Sequence, residues 1–152
     1  MANSTRVLIA EDDDDDYFIF SVAAAESPYK VHLSRAENGE ILLKQLESEL
    51  PNIVFLDMLM PVLDGHHCLK AIRANKRYDS VPVIVYTSLK DLESVEYCYR
   101  EGSNLYVMKP DSFADLKTIL EKVLAIDWKK TLYYPPRKEF IVSTTQSGNP
   151  AN

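Results

Sequence analysis

The sequence has 152 residues, which is the length of one domain. Its 23 acidic and 17 basic side chains give a net charge of −6, but six of the acids are consecutive, from Glu11 to Asp16, so the rest is balanced. A balanced surface excludes the concentrated basic face of a nucleic-acid-binding protein, and no apolar run approaches the roughly 18 residues of a membrane span. The N-terminus lacks a secretory signal pattern, so we expect a cytoplasmic protein with neither nucleic acid nor membrane as a partner.

Short apolar runs alternate along the chain with stretches of helical periodicity, which predicts alternating strands and helices. The predicted strands span residues 6–10, 30–34, 53–56, 81–86 and 105–108. The predicted helices span about 15–25, 65–74 and 91–100. A further helix follows Asn38 and ends before Pro51, and the last helix follows Ser112. Asn38 is suited to cap the second helix, and Ser112 with Asp115 resembles a capping box for the last one.

Five strands separated by helices predict a parallel sheet covered on both faces, because each crossover must be long enough to hold a helix. The third strand fits a central position, since its four consecutive apolar residues indicate burial on both faces. We expect a doubly wound α/β fold with five parallel strands in the order 2-1-3-4-5. In that order a crevice opens between strands one and three.

Polar residues follow four of the predicted strands. Glu11 and Asp12 follow the first, Asp57 the third, Thr87 and Ser88 the fourth, and Lys109 the fifth. Because the carboxyl ends of parallel strands lie on the same edge of a sheet, we expect these side chains to meet there. The following acids, from Asp13 to Asp16, are interpreted differently, as a solvated helix start stabilised by the helix dipole.

Three carboxylates at one edge repel each other, by about 4 kcal/mol per pair at 4 Å and an effective dielectric constant near 20. A cation or protons must therefore occupy the pocket, and an all-oxygen site suits Mg²⁺, with Mn²⁺ as a substitute. A carboxylate such as Asp57 can also accept a phosphoryl group as a nucleophile. Lys109, the Thr87 hydroxyl and the Ser88 backbone N–H would then stabilise the phosphoryl oxygens.

These motifs together resemble the receiver domain of two-component response regulators, which have the flavodoxin-like doubly wound fold. The resemblance covers residues 6 to about 127. It is carried by the segments 7–13 (VLIAEDD), 56–61 (LDMLMP) with Asp64-Gly65, Thr87-Ser88, and 106–110 (YVMKP). Each segment is weak evidence alone, but all of them in this order are specific.

The resemblance implies a signalling switch rather than an enzyme. Asp57 would accept the phosphoryl group from a phosphohistidine of a sensor histidine kinase or phosphotransfer protein. Asp12 would bind the metal directly, Glu11 through water, and Leu59 through its backbone carbonyl, beside Asp57 itself. Thr87 and Tyr106 would form the switch pair, and Lys109 would bind phosphoryl oxygens. The output would be contact with an unknown downstream protein through the fourth helix, fifth strand and fifth helix.

At two positions this sequence has an apolar residue where some members of the family have a polar one. They are Leu59, two residues after the phosphoacceptor, and Leu89, two residues after the switch threonine. Neither side chain can orient an attacking water, so we expect a long-lived phosphorylated state. Asp111 stands where an aromatic residue is common in the family, which affects only the entry to the last helix.

A C-terminal extension, residues 128–152, follows the receiver domain of residues 1–127. It is too short for a separate DNA-binding output domain. Residues 128–142 are rich in apolar side chains, so this part either packs back on its own domain or forms an arm for a homodimer or for the kinase. Residues 143–152 are predicted to be disordered. The tryptophan after the last helix and the tail weakly resemble stand-alone receivers that partner phytochrome-type kinases.

The sequence argues against three other functions. A phosphatase of the haloacid dehalogenase type needs a second aspartate two residues after the nucleophile, where Leu59 stands. A flavin-binding electron carrier would place its phosphate loop after the first strand, where six acids repel phosphate. A receiver without signalling activity is disfavoured because every active-site residue type is present. The sequence thus favours a stand-alone response regulator.

Overall fold

The computed structural model describes residues 4–128, 130 and 134–144. Its strands are β1 (Thr5–Ala10), β2 (Val31–Ala36), β3 (Ile53–Leu56), β4 (Val83–Thr87), β5 (Leu105–Met108) and β6 (Ile141–Val142). Its helices are α1 (Asp14–Glu26), α2 (Gly39–Ser48), α3 (Gly65–Ala74), α4 (Leu92–Arg100) and α5 (Phe113–Leu124). Short 3₁₀ turns cover Lys76–Tyr78 and Arg137–Glu139. No helix in the described ranges is both long and apolar enough to cross a membrane.

The strands form one parallel sheet in the order β2-β1-β3-β4-β5-β6. The predicted flavodoxin-like order of the first five strands is confirmed, with the reversal between β1 and β3. The prediction of a five-stranded sheet is wrong, because β6 adds a sixth strand beside β5. The sixth strand comes from the extension, whose short apolar segment could not be distinguished by sequence from a tail segment without a pairing partner.

The sheet separates two apolar layers. One layer packs residues of α2, α3 and α4 against the sheet, and the other packs α1 and α5 against its opposite face. All four residues of β3 are buried, which confirms the expected central position. Since β3 carries Asp57 directly after its last residue, the packed sheet fixes the position of that carboxylate.

Helix caps explain where several elements begin. The Asp13 side chain accepts a hydrogen bond from the Asp16 N–H, so α1 begins one residue earlier than predicted. Asn38 and Ser112 cap α2 and α5 as the sequence indicates. The predicted fourth strand began at residue 81, whereas β4 begins at Val83, after a proline that has no N–H for the ladder.

The two cysteines are too few and too far apart in sequence for a zinc ribbon or redox pair, and both are fully buried as free thiols. Burial raises the pKa of Cys68 and of Cys98 to about 12. Both thiols therefore stay protonated at neutral pH. We expect neither to react with iodoacetamide at about pH 8 in the folded protein, and both to react in urea. Rapid labelling of the folded protein, measured by intact-mass spectrometry, would contradict this burial.

The described part of the extension packs on its own domain. Trp128 is 8% exposed, and its Nε1 donates a hydrogen bond to the Val123 carbonyl at the end of α5. Phe140 is fully buried in the layer that contains α4. Of the two expectations for residues 128–142, packing back is therefore confirmed for these residues. Most of the segment predicted to be disordered, residues 145–152, lies outside the described residues.

Candidate functional site

The carboxylates predicted from the strand ends do meet at the carboxyl edge of the sheet. One oxygen from each of Glu11, Asp12 and Asp57 lies within 4.8 Å of the other two. Glu11 and Asp57 are buried, at 0% and 4% exposure, whereas Asp12 is exposed. The cluster thus has a buried base and one side open to solvent.

The Lys109 ammonium, at the end of β5, supplies positive charge to this cluster. Its Nζ lies 2.9 Å from Asp57 Oδ2 and 2.7 Å from Glu11 Oε1. Burial alone would lower the pKa of Lys109, but its carboxylate contacts outweigh that effect and raise the pKa. Burial raises the pKa of Glu11 to about 7, while the ammonium opposes the shift. The lysine is therefore a fixed cation in contact with the proposed acceptor.

Asp16 is a site residue that the sequence interpretation missed. Its Oδ2 accepts a hydrogen bond from Lys109 Nζ at 2.8 Å. The expected helix start is present, since Asp13 caps α1, but Asp16 is not simply solvated. Because α1 begins at the carboxyl edge of the sheet, a first-turn residue can face the strand ends. The sequence shows that α1 begins at this edge. It does not show which of the consecutive acids faces Lys109, because the rotation of α1 about its axis cannot be determined from the run of acids.

The backbone around β3 fixes the orientation of the Asp57 carboxylate. The Leu59 N–H donates a hydrogen bond to Asp57 Oδ1 at 3.0 Å, and Lys109 binds the other oxygen. The Gly65 N–H donates to the Met58 carbonyl at 3.2 Å and closes the loop that follows Asp57. The Leu59 side chain is 50% exposed. Both Asp57 oxygens are therefore held, and the Leu59 N–H is a contribution that the sequence analysis did not identify.

The donor set fits a hard divalent cation. All three clustered carboxylates offer oxygen, which Mg²⁺ and Mn²⁺ prefer. Glu11 Oε1 is fully buried, and its contact within the described residues is the Lys109 ammonium at 2.7 Å. One ammonium does not balance the carboxylates that meet here, so a bound divalent cation would relieve their mutual repulsion. Glu11, Asp12 and Asp57 are thus the side chains suited to hold Mg²⁺ or Mn²⁺.

The predicted switch residues lie beside the cluster. Thr87 is fully buried at the end of β4, and its carbonyl accepts a hydrogen bond from the Lys109 N–H. Its Oγ1 accepts one from the Leu89 N–H at 3.5 Å. Tyr106 is also fully buried, and its hydroxyl donates to the Leu89 carbonyl at 2.8 Å. Ser88 follows Thr87 and is exposed. The structure therefore connects Thr87 and Tyr106 through the backbone of Leu89.

Comparison with known sequences gives a consistent result. The family model described as "Response regulator receiver domain" matches residues 7–121. The regulatory protein AtoC of Escherichia coli (strain K12) is 30% identical over 130 residues, which cover 86% of this chain and 27% of AtoC. The probable methanogenesis regulatory protein FilR2 of Methanothrix harundinacea (strain 6Ac) is 28% identical over 123 residues, or 77% of this chain and 79% of FilR2. The chain thus spans only about a quarter of the length of AtoC.

Solved structures have the same fold. The Mn²⁺-bound form of response regulator Rcp1 is 23% identical with a TM-score of 0.73, covering 87% of this chain and 99% of Rcp1. Response regulator RPA3017, in red light signaling of R. palustris, is 25% identical with a TM-score of 0.73, covering 87% and 96%. A putative response regulator from Chloroflexus aurantiacus is 27% identical with a TM-score of 0.69, covering 82% and 100%. With a family match over most of its length and the strand-end cluster in place, this chain belongs to the response regulator receiver domain family.

Proposed function

We propose that this protein is a two-component response regulator in the cytoplasm. Residues 1–127 act as the receiver, and Asp57 accepts a phosphoryl group from the phosphohistidine of a sensor kinase or phosphotransfer protein in an Mg²⁺-dependent reaction. The observation that carries this proposal is the contact of Lys109 with Asp57 beside Glu11 and Asp12. These groups together suit a dianionic phosphoryl group attached to one carboxylate.

In the proposed transfer, an Asp57 oxygen forms a bond to phosphorus while the bond from phosphorus to the donor nitrogen breaks. The donor imidazole keeps that electron pair. Lys109, the Thr87 hydroxyl and the Ser88 backbone N–H then bind the phosphoryl oxygens. A divalent cation held by Glu11, Asp12, Asp57 and the Leu59 carbonyl supplies charge neutralisation when bound. The protein itself provides a fixed carboxylate and a positioned ammonium.

Phosphorylation would then shift the population between two states of the Thr87 and Tyr106 region. The shared contacts of these residues with Leu89 support this coupling. The result is a switch whose output is contact with another protein, rather than an enzyme that converts a substrate. The similarity to RPA3017, described in red light signaling, supports a role in light signalling.

Metal dependence tests the proposed reaction. We expect incubation with acetyl phosphate and Mg²⁺ to add the mass of one phosphoryl group to the protein, as measured by intact-mass spectrometry. With a chelator in place of Mg²⁺, we expect much less adduct to form, because the clustered carboxylates then repel the donor. Equal adduct with Mg²⁺ and with chelator would contradict the proposed metal role.

Neutralising Asp16 should favour phosphorylation. Its carboxylate competes with an incoming phosphoryl group for Lys109, which remains held by Glu11 and Asp57 when Asp16 is changed. We expect Asp16→Asn to raise the initial rate with acetyl phosphate about fivefold, which corresponds to about 1 kcal/mol. Exposed Asp15 on the same helical turn is the matched control. Asp15→Asn should change the rate by less than about twofold, since exposed charges are screened. An equal increase in both variants would indicate a general charge effect and count against the Lys109 competition.

The apolar residues Leu59 and Leu89 are proposed to prolong the phosphorylated state. Replacing Leu59 by Asn and Leu89 by Glu introduces side chains that can orient an attacking water. We expect the double variant to lose its phosphoryl group several-fold faster, measured by the decay of the adduct after donor removal. Leu92→Asn, which changes an exposed leucine at the start of α4, serves as the control and should decay like the wild type. An unchanged decay rate in the double variant would refute the role of the two leucines.

A further inference from the structure

Residues 134–143 of the extension contact the face on which signalling output is expected. We call this segment the docked extension. Arg137 contacts Glu96 of α4, with both Nε and Nη2 lying 2.7 Å from Oε2. At the other end, Lys122 of α5 donates a hydrogen bond to the Ser143 carbonyl. The docked extension therefore spans the face formed by α4, β5 and α5.

Phe140 is the buried centre of this segment. Its ring lies against Tyr99 of α4, with the centroids 5.2 Å apart, and is 6.1 Å from the ring of Tyr106. The Phe140 carbonyl accepts a hydrogen bond from the Tyr106 N–H at 3.0 Å. Two residues then pair with β5 as β6. Phe140 thus covers the proposed switch tyrosine, and Tyr106 cannot turn outward while Phe140 is in place.

A continuous set of contacts links Phe140 to the acidic cluster. The Tyr106 hydroxyl binds the Leu89 carbonyl, and the Leu89 N–H reaches the Thr87 hydroxyl at 3.5 Å. The Thr87 carbonyl in turn accepts a hydrogen bond from the Lys109 N–H, and Lys109 contacts Asp57. The Thr87 hydroxyl is the least tightly held member of this set, so it is free to turn toward a phosphoryl group.

We propose that docking of the extension and phosphorylation of Asp57 stabilise each other through Tyr106. This inference rests on the proposed function and adds a regulatory segment to it. A Thr87 hydroxyl that turns toward a phosphoryl group gives up its contact with the Leu89 N–H, so the backbone of Leu89 is then held by the hydroxyl of the buried Tyr106. The buried ring provides the surface on which Phe140 docks. Because coupling is reciprocal, Phe140 docking must favour the phosphorylated state to the same extent.

Hydrogen exchange of the full chain, followed by mass spectrometry, tests the coupling. The probe is beryllofluoride with Mg²⁺, a mimic of the phosphoryl group on a carboxylate. We expect amide exchange in residues 137–143 to slow about fivefold when the probe is added. Asp57→Asn should show no change, since it lacks the carboxylate. Unchanged or faster exchange in the wild type would overturn the inference.

Two variants test the reverse direction. Arg137→Gln removes the ion pair with Glu96 without changing the core, whereas Lys138→Gln changes an exposed neighbour of the same charge. We expect the first to increase exchange of residues 137–143 and to lower the steady-state phosphoryl adduct from acetyl phosphate, and the second to do neither. Phe140→Leu should act in the same direction as the first variant and more strongly. Adduct levels equal to the wild type in Arg137→Gln and Phe140→Leu would overturn the coupling while leaving the proposed function intact. Absence of any adduct on the wild type would overturn both.

Discussion

Replacing Lys109 by Met is expected to reduce phosphorylation of Asp57 about 100-fold, because one positioned donor to the developing charge is lost. The same change leaves Glu11 and Asp57 buried without the ammonium that contacts both. Breaking a buried ion pair in this way lowers the free energy of unfolding by about 3 kcal/mol. Initial phosphorylation rates and urea unfolding in the presence of a chelator measure the two effects.

Added Mg²⁺ distinguishes the site from ordinary packing at Lys109. We expect Mg²⁺ to stabilise Lys109→Met more than the wild type, because a cation bound by the carboxylates replaces the missing positive charge. Lys117→Met is the control, since Lys117 forms a partly exposed ion pair with Glu26 and lies over the Phe113 ring, away from the acidic cluster. It should change the free energy of unfolding by less than about 1 kcal/mol and leave phosphorylation unchanged. If Lys109→Met is phosphorylated as fast as the wild type, the ammonium has no role in the reaction.

Gly65→Ala is expected to impair both stability and phosphorylation, although residue 65 carries no reacting group. A Cβ at this position would lie 2.3 Å from the Asp57 carbonyl oxygen and 2.6 Å from Met58 Cα. Both are backbone atoms of the loop that holds Asp57, so the loop must move. We expect the free energy of unfolding to fall by about 3 kcal/mol. The initial rate with acetyl phosphate should fall as well, since the Asp57 carboxylate loses its position.

Gly102→Ala separates this local effect from general loss of stability. Gly102 follows α4 with a φ of 98°, and an added Cβ would lie 3.1 Å from Cγ of Arg73, whose guanidinium binds the Gly102 carbonyl and lies away from the acidic cluster. Forcing alanine into this conformation costs about 1 kcal/mol. We expect the variant to be less stable but to phosphorylate at the wild-type rate. A normal rate in Gly65→Ala would show that the loop tolerates the displacement.

The acidic cluster could be predicted from sequence because a parallel sheet brings strand ends together regardless of detail. Glu11, Asp57 and Lys109 each follow a short apolar run, and the alternating strand and helix pattern places those runs in one sheet. Only the topology was needed, since the carboxyl ends of all the parallel strands share one edge. The structure brings these three side chains into contact as that argument requires.

Features that depend on rotation or on long-range pairing could not be predicted in the same way. Asp16 reaches Lys109 because of the rotation of α1, which five consecutive aspartates do not reveal. The Leu59 N–H reaches Asp57 through the path of a loop backbone, which carries no side-chain signal. The β6 strand pairs through only two residues with a strand more than thirty positions earlier. Neither hydrophobic periodicity nor a turn motif specifies such a pairing.

The wild type and Asp57→Asn, treated side by side with acetyl phosphate and Mg²⁺, provide the most direct measurement of the central chemistry. Intact-mass spectrometry should detect one added phosphoryl group on the wild type, located on Asp57 by fragmentation, and none on the variant. No adduct on the wild type, or equal adducts on both proteins, would contradict the assignment of Asp57 as the phosphoryl acceptor.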